Sequence, residues 1–335
     1  MTAIVTVEHL SVHYPVPAGG LFRRRTLTLK AVDDVSFELG AGETLGVVGE
    51  TGCGKSSLGK GVLQLVKPVA GRVLWQGEDL CALQPGELKR YRRDLQIIFQ
   101  DPLSSLNPRM TIGEIVAEPL QVHYPALGRD ERRSRVDAML ERVGLRPEMR
   151  NRYPNEFSGG QCQRVSIARA MIVQPRVIVC DEPVSSLDVS IQAQICNLLR
   201  DIQRDTGIAL LFISHDLSIV RYMSHRVLVM YLGRVVESGR REEFFGAARH
   251  PYSQALISAV PVPVPDPDRA LVDRAVVLDG ELPSPVDPPS GCVFRTRCPL
   301  VVPVCVTRVP LLTEAAPGHV VACHRWQETL ANPHG

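Results

Sequence analysis

The chain carries almost no excess of charge of either sign: 38 Lys and Arg stand against 36 Asp and Glu, a formal net charge of +2. So even a balance leaves no electrostatic footprint for nucleic acid. It also lacks any apolar run near the ~18 residues that a bilayer-spanning helix needs. The opening MTAIVTVEHLSV has neither the charged nor the apolar region of a secretory signal. These absences predict a cytosolic chain that reaches a membrane only through a partner. No internal repeat and no heptad array is visible, which argues against a solenoid or a long coiled coil. Core-forming material, in contrast, is plentiful. Hydrophobic residues make up 44% and charged residues 22% of 335 positions. That is globular composition, enough for one large domain or one domain with an appendage.

The nine cysteines are unevenly spread. Cys53, Cys81, Cys162, Cys180 and Cys196 are scattered and read as small apolar residues of a reducing compartment. Cys292, Cys298, Cys305 and Cys323 crowd the last stretch, which predicts separate chemistry there.

Along the chain, residues 3–13 and 31–39 read as strands, with a Pro/Gly-rich turn and the basic patch Arg23-Arg24-Arg25 between them. Thr44–Val48 reads as a short buried strand, followed by a glycine-rich loop and a helix from about Lys55. Strand character returns at 72–76 and 95–99. From about 103 to 170 the pattern is helical. Buried strands recur at 177–180 and 209–213, and 227–230 with 234–237 reads as a hairpin. Alternation of this kind predicts an α/β sheet with a helical insertion. The proline-rich stretch 260–291 marks a boundary. Basic runs at 89–93 and 129–135 read first as solvated faces.

Gly49-Glu50-Thr51-Gly52-Cys53-Gly54-Lys55-Ser56 fits the spacing G-x-x-x-x-G-K-[ST] between a strand and a helix. Glycines let successive N–H groups turn toward one centre without Cβ clashes, and the helix start adds its dipole, so the loop is an anion nest for a β-phosphate. Lys55 reaches the β- and γ-phosphates and Ser56 offers a hydroxyl to Mg²⁺. The cofactors predicted are ATP and Mg²⁺. Such a loop needs a second carboxylate, and Val177–Asp181 is a buried strand that delivers Asp181 at its end. Asp181 is the expected Mg²⁺ partner. Glu182, one residue on, is the expected general base for an attacking water.

Phe157-Ser158-Gly159-Gly160-Gln161, leading into Cys162–Ala170, combines a good N-cap, two small residues and a helix dipole that favours phosphate. The string closely resembles the signature of the ATP-binding cassette (ABC) ATPases. The resemblance implies that Ser158, Gly159, Gly160 and Gln161 close on ATP held by a partner subunit in a head-to-tail dimer. It further implies that Gln100 touches Mg²⁺ and the attacking water, and that His215 contacts the γ-phosphate. Asp188 falls in a D-loop, Ser186-Leu187-Asp188, that runs between subunits. Tyr14 would stack on adenine, and Ser57 would extend the phosphate loop. The fold implied is a P-loop NTPase (RecA-like) core with an antiparallel β subdomain, an inserted α-helical subdomain and a small cysteine-containing C-terminal extension. The cassette is placed at 1–255, its helical subdomain at about 103–170 and the extension at 256–335. Two departures, Cys53 in the loop and Cys162 after the signature, predict sensitivity to thiol reagents.

The tail strings His250–Leu256, Leu282–Pro285, Pro288–Cys292 and Val321–His324 are similar to the C-terminal extension of oligopeptide/dipeptide importer ATPases, nickel-importing relatives included. His13-Tyr14-Pro15, Gly20-Leu21-Phe22 and Lys30-Ala31-Val32 look most like their F-type subunit. The resemblance implies a peripheral ATPase on the cytoplasmic face of the inner membrane. Its partners would be a paralogous second ATPase subunit, two transmembrane permeases and, indirectly, an extracytoplasmic substrate-binding protein. The competing readings are a soluble ABC ATPase not coupled to transport, and an exporter subunit. The cysteine spacing C-x₅-C-x₆-C-x₁₇-C is neither a zinc ribbon nor a ferredoxin run. Relatives imply a [4Fe–4S] cluster on Cys292, Cys298, Cys305 and Cys323. Zinc, with His319 or His324 substituting, and inert thiols remain as alternatives. Substrate identity is not written in a subunit that never touches the cargo.

Overall fold

A computed structural model describes residues 2–18, 25–260 and 281–330. Gly20-Leu21-Phe22, Arg23 and Arg24 of the basic patch, and residues 261–280 of the proline-rich boundary lie outside the described residues. The backbone packs as two compact units. One comprises the described residues of Met1–Ile4, Leu39–Thr44 and Ala82–Ile213, the other those of Val5–Glu38, Leu45–Cys81 and Ser214–Gly335.

In the first unit, three strands run parallel: Leu95–Ile98, Val177–Asp181 and Ala209–Ile213. The latter two are buried at every position, as apolar runs in a parallel sheet must be. Their register is unbroken, with Leu95 opposite Val177, Ile98 opposite Cys180 and Asp181 opposite Ile213. Helices Ile112–His123, Arg129–Arg142 and Gly159–Met171 fill the expected helical stretch. Thr111 and Glu114 form a capping box at the first of these. Arg164 and Arg169 tie the third to the chain around it, donating to the carbonyls of Val143 (2.6 Å) and Ser105 (2.7 Å).

The second unit holds an antiparallel sheet in the order Arg25–Gly40, Ala3–Ala18, Ala70–Trp75, Glu78–Asp79. Thr44–Val48 pairs in parallel with Arg226–Tyr231, which pairs in turn with Arg234–Arg240 across a bulged antiparallel hairpin. The expected hairpin is thus present and longer than the sequence pattern suggested. A hairpin from the C-terminal tail, Thr313–Ala316 with His319–Val321, adds its second strand to Arg234–Arg240. No sequence signal pointed to it: its strands span four and three residues, too few for a period-2 pattern to stand out.

Candidate nucleotide site

The phosphate loop lies in the second unit between Thr44–Val48 and the helix Lys55–Val62. Gly49, Gly52 and Gly54 have φ of +152°, +84° and +104°. A Cβ at Gly49 would lie 2.2 Å from the Met230 carbonyl oxygen, and one at Gly54 only 1.9 Å from that of Ala31. No side chain fits there, so the backbone itself forms the concave surface. Gly54 caps the helix in a left-handed conformation with no side-chain acceptor. Lys55 is buried and folds back over the loop, its Nζ donating to the carbonyls of Gly49 (2.8 Å) and Glu50 (3.0 Å). A lysine held across its own loop has its charge where a phosphate would arrive, and little rotamer freedom left to lose.

Two side chains grip Glu50, a residue the sequence marked only as part of the loop. The Tyr252 hydroxyl accepts from the Glu50 N–H (2.8 Å), and Arg297 Nη1 donates to Glu50 Oε2 (2.7 Å). Tyr252 stands in a buried ring cluster with Tyr231, His250 and Phe294, centroids 4.8–5.5 Å apart. Such clusters add to plain burial through edge-to-face contact. Tyr14 is half-buried on the long strand Ala3–Ala18. His215 is exposed, after Ser214, whose N–H donates to the Val47 carbonyl (3.1 Å). Asp216 then caps the helix Leu217–Met223.

In the first unit the parallel register does chemical work. Ile98 faces Cys180, so two residues further on Gln100 is level with Glu182. Gln100 Nε2 donates to Glu182 Oε2 at 3.0 Å. Glu182 has φ of +46°, a left-handed conformation that costs a non-glycine residue about 1–3 kcal/mol and is concentrated at functional sites. Its N–H donates to the Ile213 carbonyl (3.0 Å), which holds the turn in place. Asp181 is buried at the strand end. Ser158 and Gln161 form a reciprocal capping box on Gly159–Met171, as the sequence predicted for Ser158. A Cβ on Gly160 would come within 2.6 Å of Ile191 Cγ2, so glycine here permits close packing on the helix Val189–Thr206, for which Asp188 is the N-cap residue.

One expectation needs correction, and a second gains no support. Cys53 and Cys162 are almost wholly buried (1% and 0% exposed), and burial pushes both thiols up. Thiolate is therefore scarce and reagents have no path, so thiol sensitivity at these positions is not expected. The second concerns the tail. Among the described residues no three His, Cys, Asp or Glu side chains are grouped so as to hold a metal ion. That gives no support to a [4Fe–4S] cluster on Cys292, Cys298, Cys305 and Cys323, or to zinc there. Burial is the main reason that Cys292 is pushed up to about 11 and Cys323 to about 12, with neighbouring cysteines adding to the rise. The histidines offered as substitutes are engaged elsewhere: His319 Nε2 lies 2.7 Å from the buried Glu237 carboxylate, and His324 Nε2 lies 3.0 Å from the Arg308 carbonyl. The tail's residues instead serve packing. Phe294 enters the ring cluster, Ala322 N–H donates to the Val236 carbonyl (2.8 Å) and Thr329 Oγ1 to that of Arg249 (2.9 Å).

Residues 32–185 match the ABC transporter family, and residues 236–305 match the family described as oligopeptide/dipeptide transporter, C-terminal region. The chain is 54% identical over 321 residues to the oligopeptide transport ATP-binding protein OppF of Salmonella typhimurium, covering 96% of this chain and 95% of that protein. It is 52% identical over 322 residues to the probable peptide ABC transporter ATP-binding protein y4tS of Sinorhizobium fredii, covering 96% and 90%. Among solved structures, the ATP-binding cassette MJ0796, a dimer in a post-hydrolysis state bound to ADP and Pi, superposes with a TM-score of 0.62 at 29% identity, covering 71% of this chain and 98% of that one. The structure of cbiO1 from Clostridium perfringens, part of the ABC transporter complex cbiONQ, gives 0.62 at 28%, covering 73% and 91%. A P-loop NTPase core with an antiparallel sheet and inserted helices, matched at this identity along nearly its whole length, leaves a single assignment: the chain belongs to the ABC transporter family, among the ATP-binding, ATP-hydrolysing subunits that carry the oligopeptide/dipeptide-transporter C-terminal region.

Proposed function

We propose that this subunit drives the import of peptides or related small solutes by binding and hydrolysing ATP in a pair of cassettes. The observation that carries the reading is the phosphate loop, a nest that admits no Cβ at Gly49 or Gly54 and is spanned by a buried lysine. Residues Gly49 to Ser57 bind the phosphates, with Lys55 on the β- and γ-groups and Tyr14 beneath the adenine. Ser56, Gln100 and Asp181 supply hard oxygen donors of the kind Mg²⁺ prefers. The metal would neutralise charge developing on the phosphates. Glu182 takes a proton from the attacking water, Gln100 orients that water, and His215 contacts the γ-phosphate. The hydrogen bond from Gln100 to Glu182 supports this pairing, because an amide donor orients a carboxylate without protonating it.

Ser158 to Gln161 would serve ATP held by the partner, with Asp188 at the junction. The dimeric form of the MJ0796 cassette supports that arrangement. Each ATP would then favour the closed pair alone, the differential affinity a switch requires. The names of the relatives support a peptide cargo. The family resemblance supports a paralogous ATPase partner, two permeases and a peripheral place on the cytoplasmic face of the inner membrane, fed by an extracytoplasmic binding protein. Among the described residues no helix is long and apolar enough to cross a membrane. We place the cassette at 1–255 and the extension at 256–335.

The test is E182Q in the assembled transporter. ATP binding should persist, hydrolysis should fall by about 10²–10⁴-fold, the worth of a positioned base, and closed pairs should accumulate. Normal turnover would assign the base elsewhere. Peptide-stimulated uptake into vesicles reconstituted with the permeases and binding protein tests the cargo, and no uptake of any peptide would reject that part.

A further inference from the structure

The tail reaches the phosphate loop itself. Arg297 is nearly buried (8% of its side chain exposed), and its Nη1 lies 2.7 Å from Glu50 Oε2 across 247 residues of chain. The guanidinium is held above its ordinary range chiefly by that hydrogen bond. Two features fix its position. Arg297 lies three residues after Phe294, whose ring packs on Tyr231 and Tyr252 at 5.2 and 5.4 Å. Arg297 N–H also donates to the Phe294 carbonyl at 3.0 Å, closing the turn. Tyr252, from the same cluster, accepts the Glu50 N–H at 2.8 Å. Glu50 is therefore tied by its backbone to one element and by its carboxylate to another, and both ties pass through one ring cluster.

A carboxylate inside a loop built to receive a triphosphate is a misplaced charge unless something neutralises it. In the second unit that neutralising group is Arg297. Lys55 bonds the Glu50 carbonyl at 3.0 Å, so a shift of Glu50 would also move the lysine that meets the phosphates. We propose that Arg297 is a positioning residue of the ATP site: by pairing with Glu50 it cancels an acidic charge in the phosphate loop and holds Lys55 in register, so that the C-terminal extension sets the affinity for ATP. The proposal rests on the ATP reading of the loop. It makes the extension part of the nucleotide pocket's support rather than an independent appendage.

The experiment measures binding of a fluorescent ATP analogue with Mg²⁺ to the full chain, alongside steady-state hydrolysis by the assembled transporter. R297Q keeps much of the side-chain volume and removes the charge. It should weaken nucleotide binding about 10-fold, within the span of ordinary coupling between sites, and raise KM for ATP while kcat stays within about 2-fold. R297K should retain most of the affinity. The decisive variant is R297Q/E50Q, which removes the stranded carboxylate and should bind more tightly than R297Q, an outcome that lost packing alone would not produce. Binding by R297Q within about 2-fold of the parent, or a double variant no tighter than R297Q, overturns the proposal. If R297Q does not fold, Y252F carries the test: removing the acceptor of the Glu50 N–H should weaken binding about 3-fold, and unchanged binding overturns the strap. K55A separates the two levels. Normal ATP binding by K55A would sink the ATP reading, whereas loss in K55A with full affinity in R297Q would sink this inference alone.

Discussion

The phosphate loop and the signature each end at a helix start that the proposed function turns toward phosphate, yet they are built in opposite ways. Lys55–Val62 begins from a left-handed Gly54 with no side-chain cap, whereas Gly159–Met171 begins from Ser158 and Gln161, which satisfy each other's N–H groups. The first start keeps its donors for a ligand; the second has spent two of them internally. A helix N-terminus without a cap costs about 1 kcal/mol, a cost that makes sense where an anion replaces the cap. The first is a nest in permanent readiness. The second is a capped helix whose Ser158 hydroxyl accepts from the Gln161 N–H and keeps its own proton free to donate. An uncapped start and a capped one suit the proposed machine, in which each subunit would keep its own ATP and meet the partner's only on closure.

The largest expected effect breaks the contrast at its source. G54A must place a Cβ 1.9 Å from the Ala31 carbonyl oxygen at a φ of +104°. ATP affinity should fall by about 100-fold or more, equivalent to ~3 kcal/mol, as calorimetric titration would show. A variant that bound ATP normally would mean the loop tolerates side chains and is no nest.

A third helix start sharpens the contrast through pH. Pro251–Ser258 is capped by His250, whose Nδ1 accepts from the Tyr252 N–H (3.1 Å). Only a neutral ring can accept. Burial holds His250 down at about 4 against an ordinary 6.5, so the unfolded chain binds the proton more readily in that window. Its contribution is complete above pH 6.5 and is lost as pH falls toward 4, on the order of 2 kcal/mol at pH 5. H250N keeps a capping acceptor without the titration. Denaturant unfolding at pH 7 and pH 5 should therefore show a smaller loss for H250N than for the parent, and equal losses would remove His250 from the account.

The smallest effect concerns Ser158. S158A should cost the helix about 1 kcal/mol and slow hydrolysis by the assembled pair, while the isolated chain's affinity for ATP stays within about 2-fold. A loss of affinity in the isolated chain would show that the signature acts on the subunit's own nucleotide.

Much of this was legible before any coordinates. Gly49 to Ser56 could be read because phosphate chemistry demands small residues and a lysine at fixed short spacing. Ser158 could be read as a cap because capping acts across three residues. The strand Val177–Asp181 declared itself by an apolar run ending in acids. The tail was read less well. Cys292, Cys298, Cys305 and Cys323 suggested a metal site by count, and the described residues add no support to it. His319 looked like a spare ligand until its ring was found against Glu237. Arg297 carried no signal, being one arginine among many, and Tyr252 lay in a string that marked the family but not the contact with Glu50.

By itself, then, the sequence determined what is settled within a few residues: which backbone positions can bend, which helix starts are capped, and where a lysine and two carboxylates stand on the chain. Tertiary structure alone decided that Glu50 is answered by Arg297 and Tyr252, 247 and 202 residues away. The physical reason is range. Dihedral freedom and capping bonds are local and leave a mark in neighbouring residue types. A pairing between distant residues depends on the path of the whole chain, and nothing in either residue's neighbourhood records it.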